Sequence, residues 1–401
     1  MITKIIFLIF LIEIFLIFTI NFFKKDFQWL LTEKDQFPIH DEKKLKNFLN
    51  KKFSKKLGWE YEKGISGSEV ANHRKTFYNI TLKGYRKDTN NYKHSKISVF
   101  GDSFAFCRYV NDDKTWQNFL GKKLKTNVRN YGVGNYGLDQ SFLKLKYAKL
   151  DSKTKLIIFN FVPHTMERLY SYWRHYSEFG NIHGFKPIFI LKNNKLYLKK
   201  NILEKHFKIK DIKSKIELIK KHDIFYKTRF SKRIFRFPFT LTFLKNFKLY
   251  SKVLFWLSLD FLNKYAKVES KNFKLKAQQE IVKKNLYDVN MMYKDKKYTN
   301  LITKLIGEIK KDVEKKNKKI IFLITPTIID INIYKKNIKH QVNFFSKLNN
   351  KDLINLTHDL SKIKKFSKFF IDDKYAGHLS VSGNKFVAKK LFEHINRKKY
   401  L

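Results

Sequence analysis

The chain has 401 residues, 43% of them hydrophobic, which suffices for one large domain or two modest ones and excludes wholesale disorder. Lys and Arg number 85 against 35 Asp and Glu, a formal charge of +50, and the excess is nearly all Lys, spread along a chain also rich in Ile, Asn, Phe and Tyr. Such a charge attracts anionic lipid or polysaccharide through its long-range field, but charge alone, without a binding motif, does not make a nucleic-acid-binding protein.

From Ile5 to Phe23 the sequence is almost continuously apolar, broken by Glu13, Thr19 and Asn21, with Lys4 before it and Lys24 and Lys25 after. These nineteen residues cover about 28 Å as a helix, close to the hydrocarbon thickness of a bilayer. Thr19 to Phe23 offers no small-x-small cleavage site, and the stretch is longer than the apolar part of a signal peptide. Glu13 costs about 3 kcal/mol on insertion scales, which the surrounding Ile, Leu and Phe outweigh. Residues 1–25 therefore read as an uncleaved, single-pass transmembrane anchor, with the membrane as partner. Lys4 and the amino terminus nearly balance Lys24 and Lys25, so charge does not set the orientation.

Residues 26–96 form a polar lead-in punctuated by Gly58, Gly64, Gly67 and Gly84. A strand is expected at Ile97 to Phe100, a helix from about Asp113 to Leu124, a strand at Val128 to Tyr131, a helix at Leu138 to Leu150 and a strand at Leu156 to Val162. This alternation is that of a three-layer α/β domain with a mostly parallel sheet, whose first part is residues 97–176. The pattern then breaks. Residues 177–295 read as an insertion or cap, with a hairpin at Pro187 to Leu198 around Asn193 and Asn194. Lys-rich helices and an aromatic run from Phe235 to Phe261 follow; Lys245, Lys248, Lys252 and Asp260 make that run a poor spanning helix. The domain resumes over residues 296–401, with a helix from Asn300 to about Lys316, a strand from Lys319 to Thr325, a helix near Ile331 to Leu348 and a final helix from about Ser380 to Asn396.

Ser103, in the Gly101-Asp102-Ser103 turn, falls where a buried strand ends and a helix begins, at the carboxyl edge of the sheet where α/β folds bind ligands. Gly132, Gly134 and Gly137 follow the second strand and permit close backbone approach. Near the end, Asp372 and Asp373 precede His378 in a loop before the last helix, an acid pair and a base suited to activating a serine. Cys107, the single cysteine, excludes an intramolecular disulfide and reads as a small buried thiol. The 12 His show no metal-ligand spacing, so neither a metal nor another cofactor is expected.

Three blocks in order, Val99 to Trp116, Asn130 to Gln140 and His378 to Ala388, resemble the SGNH/GDSL hydrolases, in the style of bacterial membrane-associated members. The resemblance implies a flavodoxin-like, three-layer domain carrying a long insertion. It implies Ser103 as nucleophile and His378 as base, with the N–H groups of Ser103 and Gly134 donating to the oxyanion. The family adds an Asn donor after the third strand. Here that region runs from Phe159 to Arg168 without it; His164 stands nearest to its place, with Asn160 as the second candidate. The family's acid lies three residues before the His, where this chain has Tyr375, so Asp373 is the preferred acid and Asp372 the other. Arg168 and Arg174 are candidates for binding an anionic or sugar group near the mouth.

The expected function is a serine esterase acting on O-acyl, chiefly acetyl, esters of glycan or cell-envelope polymers through an acyl-Ser103 intermediate. O-acetyl transfer is the variant in which a sugar hydroxyl attacks that intermediate. A weakly catalytic glycan-binding or assembly module is the other reading. By resemblance, the catalytic domain lies on the periplasmic or extracellular side of the membrane.

Overall fold

The computed structural model describes residues 2–38, 41–71, 74–203, 209–266, 273–348, 351–373, 375 and 377–401. The chain divides into two compact units. The sheet unit comprises Trp59–Leu169, Pro187–Lys200 and Asn285–Leu401; the helical unit comprises Met1–Gly58, Tyr170–Lys186 and Asn201–Lys284. The strands of the central sheet are β1 (Ser95–Gly101), β2 (Asn127–Asn130), β3 (Leu156–Phe161), β4 (Lys319–Ile324) and β5 (Leu353–Asn355). The helices that matter for function are α1 (Ile2–Lys24), α2 (Ser103–Phe106), α3 (Trp116–Leu124), α4 (Leu138–Tyr147), α5 (Phe239–Lys245), α6 (Phe247–Tyr265), α7 (Phe273–Met292), α8 (Lys296–Lys315) and α9 (Val381–Lys398).

All four strand pairings are parallel, and the spatial order is β2-β1-β3-β4-β5. This 2-1-3-4-5 order is the flavodoxin-like, doubly wound arrangement. A sheet covered on both faces needs apolar side chains at successive positions, which is why Leu156 to Phe161 and Ile320 to Ile324 are buried throughout. Alternate residues face opposite layers. Ile97, Val99, Ile158, Ile321 and Leu323 pack with Trp116 and Leu120 of α3 and with Val387, Ala388 and Leu391 of α9. On the other face Tyr131, Phe100, Phe159 and Phe322 form a row of rings with successive centroids 5.0, 5.8 and 5.9 Å apart. Against that layer α4 lies on β1 and β3, and α8 lies on β4.

Several local features differ from expectation. The helix expected near 331–348 is two helices, Ile328–Lys335 and His340–Lys347, separated by a turn in which Asn337 has φ 63°. Such a left-handed residue ends a helix. The lead-in contains an antiparallel hairpin, Ser66–Ala71 with Arg74–Asn79. The edge strand β5 has three half-buried residues, too few to carry a periodic signal. The hairpin expected around Asn193 and Asn194 pairs Ile188–Lys192 with Lys195–Lys199, both Asn being left-handed as a tight hairpin turn requires.

In the helical unit, α1 is the described helix long and apolar enough to cross a membrane. Its Leu16 and Ile20 pack with Phe27, Leu30, Phe235 and Phe239, with Tyr250 and Val253 of α6, and with Ala277 and Ile281 of α7. The aromatic run from Phe235 to Phe261 supplies much of this core. Its remaining faces are exposed.

Gly101 ends β1 against β3, and a Cβ there would lie 1.9 Å from the carbonyl oxygen of Asn160 and 2.7 Å from the Cβ of Ala105. Backbone on one side and a buried helix on the other leave no room to relax. Gly101→Ala is expected to cost about 3 kcal/mol or more, read as a lowered denaturant midpoint by circular dichroism.

Candidate active site

In the 2-1-3-4-5 order the chain leaves β1 and β3 toward opposite faces, opening a crevice at their carboxyl ends. Ser103 occupies this position as the first residue of α2, immediately after β1. Asp102 caps the helix, its Oδ1 accepting from the N–H of Phe104 at 2.8 Å. Its Oδ2 accepts from the N–H of Val162 at 3.2 Å and from Nη1 of Arg168 at 3.1 Å. Burial raises the Asp102 carboxyl, while Arg168 and the two N–H groups act in the opposite sense.

Ser103 and His378, 275 positions apart, meet with Oγ and Nε2 2.9 Å apart. The other ring nitrogen, Nδ1, lies 2.6 Å from Oδ2 of Asp373. The loop before α9 is shaped by this carboxylate. Oδ1 accepts from the N–H groups of Tyr375 and Gly377 at 2.7 and 3.2 Å, and Oδ2 accepts from the N–H of His378 at 3.1 Å. Gly377, at φ +92°, takes the left-handed turn that returns His378 to Asp373. Burial works to raise Asp373, but His378 and these hydrogen bonds outweigh it and hold the carboxyl below its usual range. An ionised carboxylate only accepts, so Nδ1 carries the proton and Nε2 presents its lone pair to the Ser103 hydroxyl. The imidazole is buried, stacked on Phe104 at 5.0 Å between centroids and met edge-on by Tyr109 and Tyr375 at 5.4 and 5.9 Å. Asp372 is exposed.

The N–H of Ser103 has no intrahelical acceptor, being the first of a helix. The loop after β2 crosses α2 closely: Val133 N–H donates to Gly101 O at 3.0 Å, and a Cβ on Gly132 would lie 2.4 Å from the Phe106 nitrogen. Gly134 follows, so close to Tyr61 that a Cβ on it would lie 3.3 Å from the Tyr61 hydroxyl. Burial pushes that hydroxyl well above its ordinary range, so Tyr61 keeps its proton and remains a donor. Tyr61 stacks on Phe106 at 4.5 Å, and Gly134 O accepts from Trp59 Nε1 at 3.0 Å. Sequence reasoning passed over Trp59 and Tyr61 because they lie in the lead-in, far in sequence from every block.

The other candidates have different neighbours. Asn160 donates its amide to Thr325 Oγ1 at 2.7 Å and Leu323 O at 3.3 Å, on the β4 side. His164 Nε2 lies 2.8 Å from Nη2 of Arg168. A guanidinium cannot accept, so Nε2 is the acceptor and Nδ1 carries the ring proton. Arg168 is 4% exposed, and its Nη1 also donates to Tyr136 O at 2.7 Å. Arg174 is fully buried in the helical unit, paired with Glu178. The arginine beside the imidazole's aromatic neighbours is Arg108, its guanidinium over Tyr109 and Tyr375 at 4.9 and 5.4 Å and its Nε 2.7 Å from Glu69 of the lead-in hairpin. Cys107 and Tyr109, on either side of it, are both left-handed, at φ 62° and 63°, a strained conformation for residues with a Cβ. Cys107 is buried, its thiol pushed up to about 12 by desolvation. Among the described residues no group of His, Cys, Asp and Glu is arranged to hold a metal ion.

No protein-family model matches the chain, and no curated protein matches it in sequence. Among solved structures it is similar to one assigned to the G-D-S-L family of lipolytic proteins, from Desulfitobacterium hafniense DCB-2. The two are 10% identical, with 75% of this chain and 99% of that chain covered and a TM-score of 0.33.

Two outcomes follow from the buried charges. Arg168→Met leaves Asp102 without its cation and is expected to lower stability by about 3–5 kcal/mol in denaturant unfolding. Asp373 has a folded pKa below its unfolded value of about 3.9, so its contribution is fully present above that pH and is lost as pH falls through the folded value. The stability difference between wild type and Asp373→Asn should therefore shrink on acidification below about pH 4, measured by urea midpoints across a pH series.

Proposed function

We propose that the chain is a membrane-held serine esterase of the SGNH type, acting on O-acyl esters of glycan or cell-envelope substrates. The reading is carried by one observation, the unbroken series from Ser103 Oγ through both His378 nitrogens to Asp373, at 2.9 and 2.6 Å. Hydrogen-bonded nucleophile, base and orienting acid are the parts that acyl transfer to a serine requires.

In this reading Ser103 Oγ attacks the ester carbonyl while His378 Nε2 takes its proton. Asp373 stabilises the resulting imidazolium and holds its tautomer. The carbonyl oxygen becomes an oxyanion facing the N–H groups of Ser103 and Gly134, with the Tyr61 hydroxyl as third donor in place of the family's Asn. Collapse expels the alcohol, which takes the proton from His378 and leaves an acyl-Ser103 ester. His378 then deprotonates the second nucleophile: water completes hydrolysis, and a sugar hydroxyl completes transfer. Arg108 with Tyr109 and Tyr375 supplies a cationic and aromatic edge suited to an anionic sugar. α1 keeps the enzyme at the membrane, with the sheet unit on the outer side.

Ser103→Ala and His378→Ala are expected to abolish acetyl release from acetylated polysaccharides and small esters. Labelling of wild type by a serine-directed phosphonate should vanish in Ser103→Ala. Tyr61→Phe keeps the ring but removes the donor and should lower kcat by about 10-fold or more with little change in KM. Acetyl release retained by purified Ser103→Ala would overturn the serine mechanism; absence of wild-type labelling alongside saturable polysaccharide binding would favour a binding module.

A further inference from the structure

Membrane attachment by α1 alone leaves two features of the helical unit without a purpose. One is Glu13, a carboxylate in the middle of an apolar helix, and the other is the outward apolar face of α5 and α6. They are linked. Glu13 is buried, and its carboxylate accepts from the N–H of Phe239, the N–H of Thr240 at 2.7 Å and the Thr240 hydroxyl at 2.7 Å. The first turn of α5 is thus fastened to the midpoint of α1, with two of its orphan N–H groups satisfied by protein.

The attachment sets a depth. Glu13 lies eleven residues before Lys24, about 16 Å along a helix, and half the hydrocarbon core is about 15 Å thick. With α1 spanning and Lys24 and Lys25 at the headgroups, the start of α5 lies close to the bilayer mid-plane. Backbone that enters hydrocarbon without spanning it must have its polar groups met by protein, and Glu13 does this for α5. The side chains agree. Phe237 is 78% exposed, and Leu241, Leu244, Phe247 and Phe255 are exposed as well. At the other end of α6, Phe261 meets Phe22 of α1 edge-on at 5.4 Å, so the exposed face of α1 continues onto α6. Lys245, Lys248, Lys252 and Lys264 are exposed along the same helices, long enough to carry their charges toward lipid phosphates.

We infer that α5 and the outer face of α6 are inserted in the lipid beside α1, reaching the level of Glu13, so that the membrane element is a three-helix assembly held by one internal carboxylate. The inference rests on α1 lying in the membrane and is independent of the esterase reading.

The test uses the full chain in vesicles of phosphatidylethanolamine and phosphatidylglycerol. An environment-sensitive fluorophore is placed on Leu241→Cys, Leu244→Cys or Phe255→Cys, with Phe10→Cys on the bare part of α1 and Lys122→Cys on the exposed side of α3 as references. All five positions are exposed, and the buried native Cys107 does not compete for the label. The expected result is a blue shift at 241, 244 and 255 and a loss of emission to acyl-brominated lipid comparable to that at 10, with iodide quenching only 122. If 10 responds to brominated lipid while 241, 244 and 255 are quenched by iodide like 122, the inference is overturned and the anchor stands. If 10 also fails to respond, the membrane placement of α1 falls and takes the inference with it.

Discussion

The buried carboxylate of Asp102 is the constraint on which the candidate site depends. Three loops meet at the carboxyl edge of the sheet, and this one side chain reaches all of them. It caps α2, which carries Ser103, and it accepts from Val162 at the end of β3. Through Arg168 it reaches Tyr136 in the loop after β2. A carboxylate removed from water must be met by donors on every side, and those donors are the loops that have to be held in register. The arrangement also accounts for Arg168 and His164, which are occupied in supporting the turn.

A second carboxylate does the same work on the opposite side of the serine. Asp373 gathers the N–H groups of its own loop before it touches the imidazole, so His378 is presented by a framework that exists without a substrate. The four residues between Asp373 and His378 are accommodated because Gly377 turns back through a conformation that a side chain would resist. Phe104 and Tyr109 pack against the imidazole and put an arginine at their margin. Glu13 repeats the device in the helical unit, where an acidic side chain in apolar surroundings is stable because backbone N–H groups of another helix converge on it. All three acids act on backbone donors rather than as surface charge, in a chain whose formal charge is +50.

Much of the architecture was legible in the residues. Strands buried on both faces produce unbroken apolar runs, and those at β1, β3 and β4 stand out beside Lys-rich helices. Asn193 and Asn194 mark their hairpin because few residue types tolerate the left-handed region. The break at Asn337 and the edge strand β5 escaped, the first because apolar periodicity carries across a short interruption and the second because three residues have no period. Ser103 and His378 were singled out by their positions, after a buried strand and before a last helix, together with three ordered sequence blocks that resemble the SGNH/GDSL hydrolases.

The partners were another matter. That Asp373 rather than the adjacent Asp372 lies under the imidazole, that Asn160 turns to β4, that Arg168 is consumed by Asp102, and that Tyr61 reaches Gly134 from the lead-in were all decided by the tertiary structure. Periodicity and turn chemistry act over a few residues, so the sequence by itself determined most of the buried strands, helices and turns, and placed Ser103 after the first strand and His378 before the last helix. Hydrogen bonds and burial act over ångströms in space between residues up to 275 positions apart, and only the folded chain brings those distances into being.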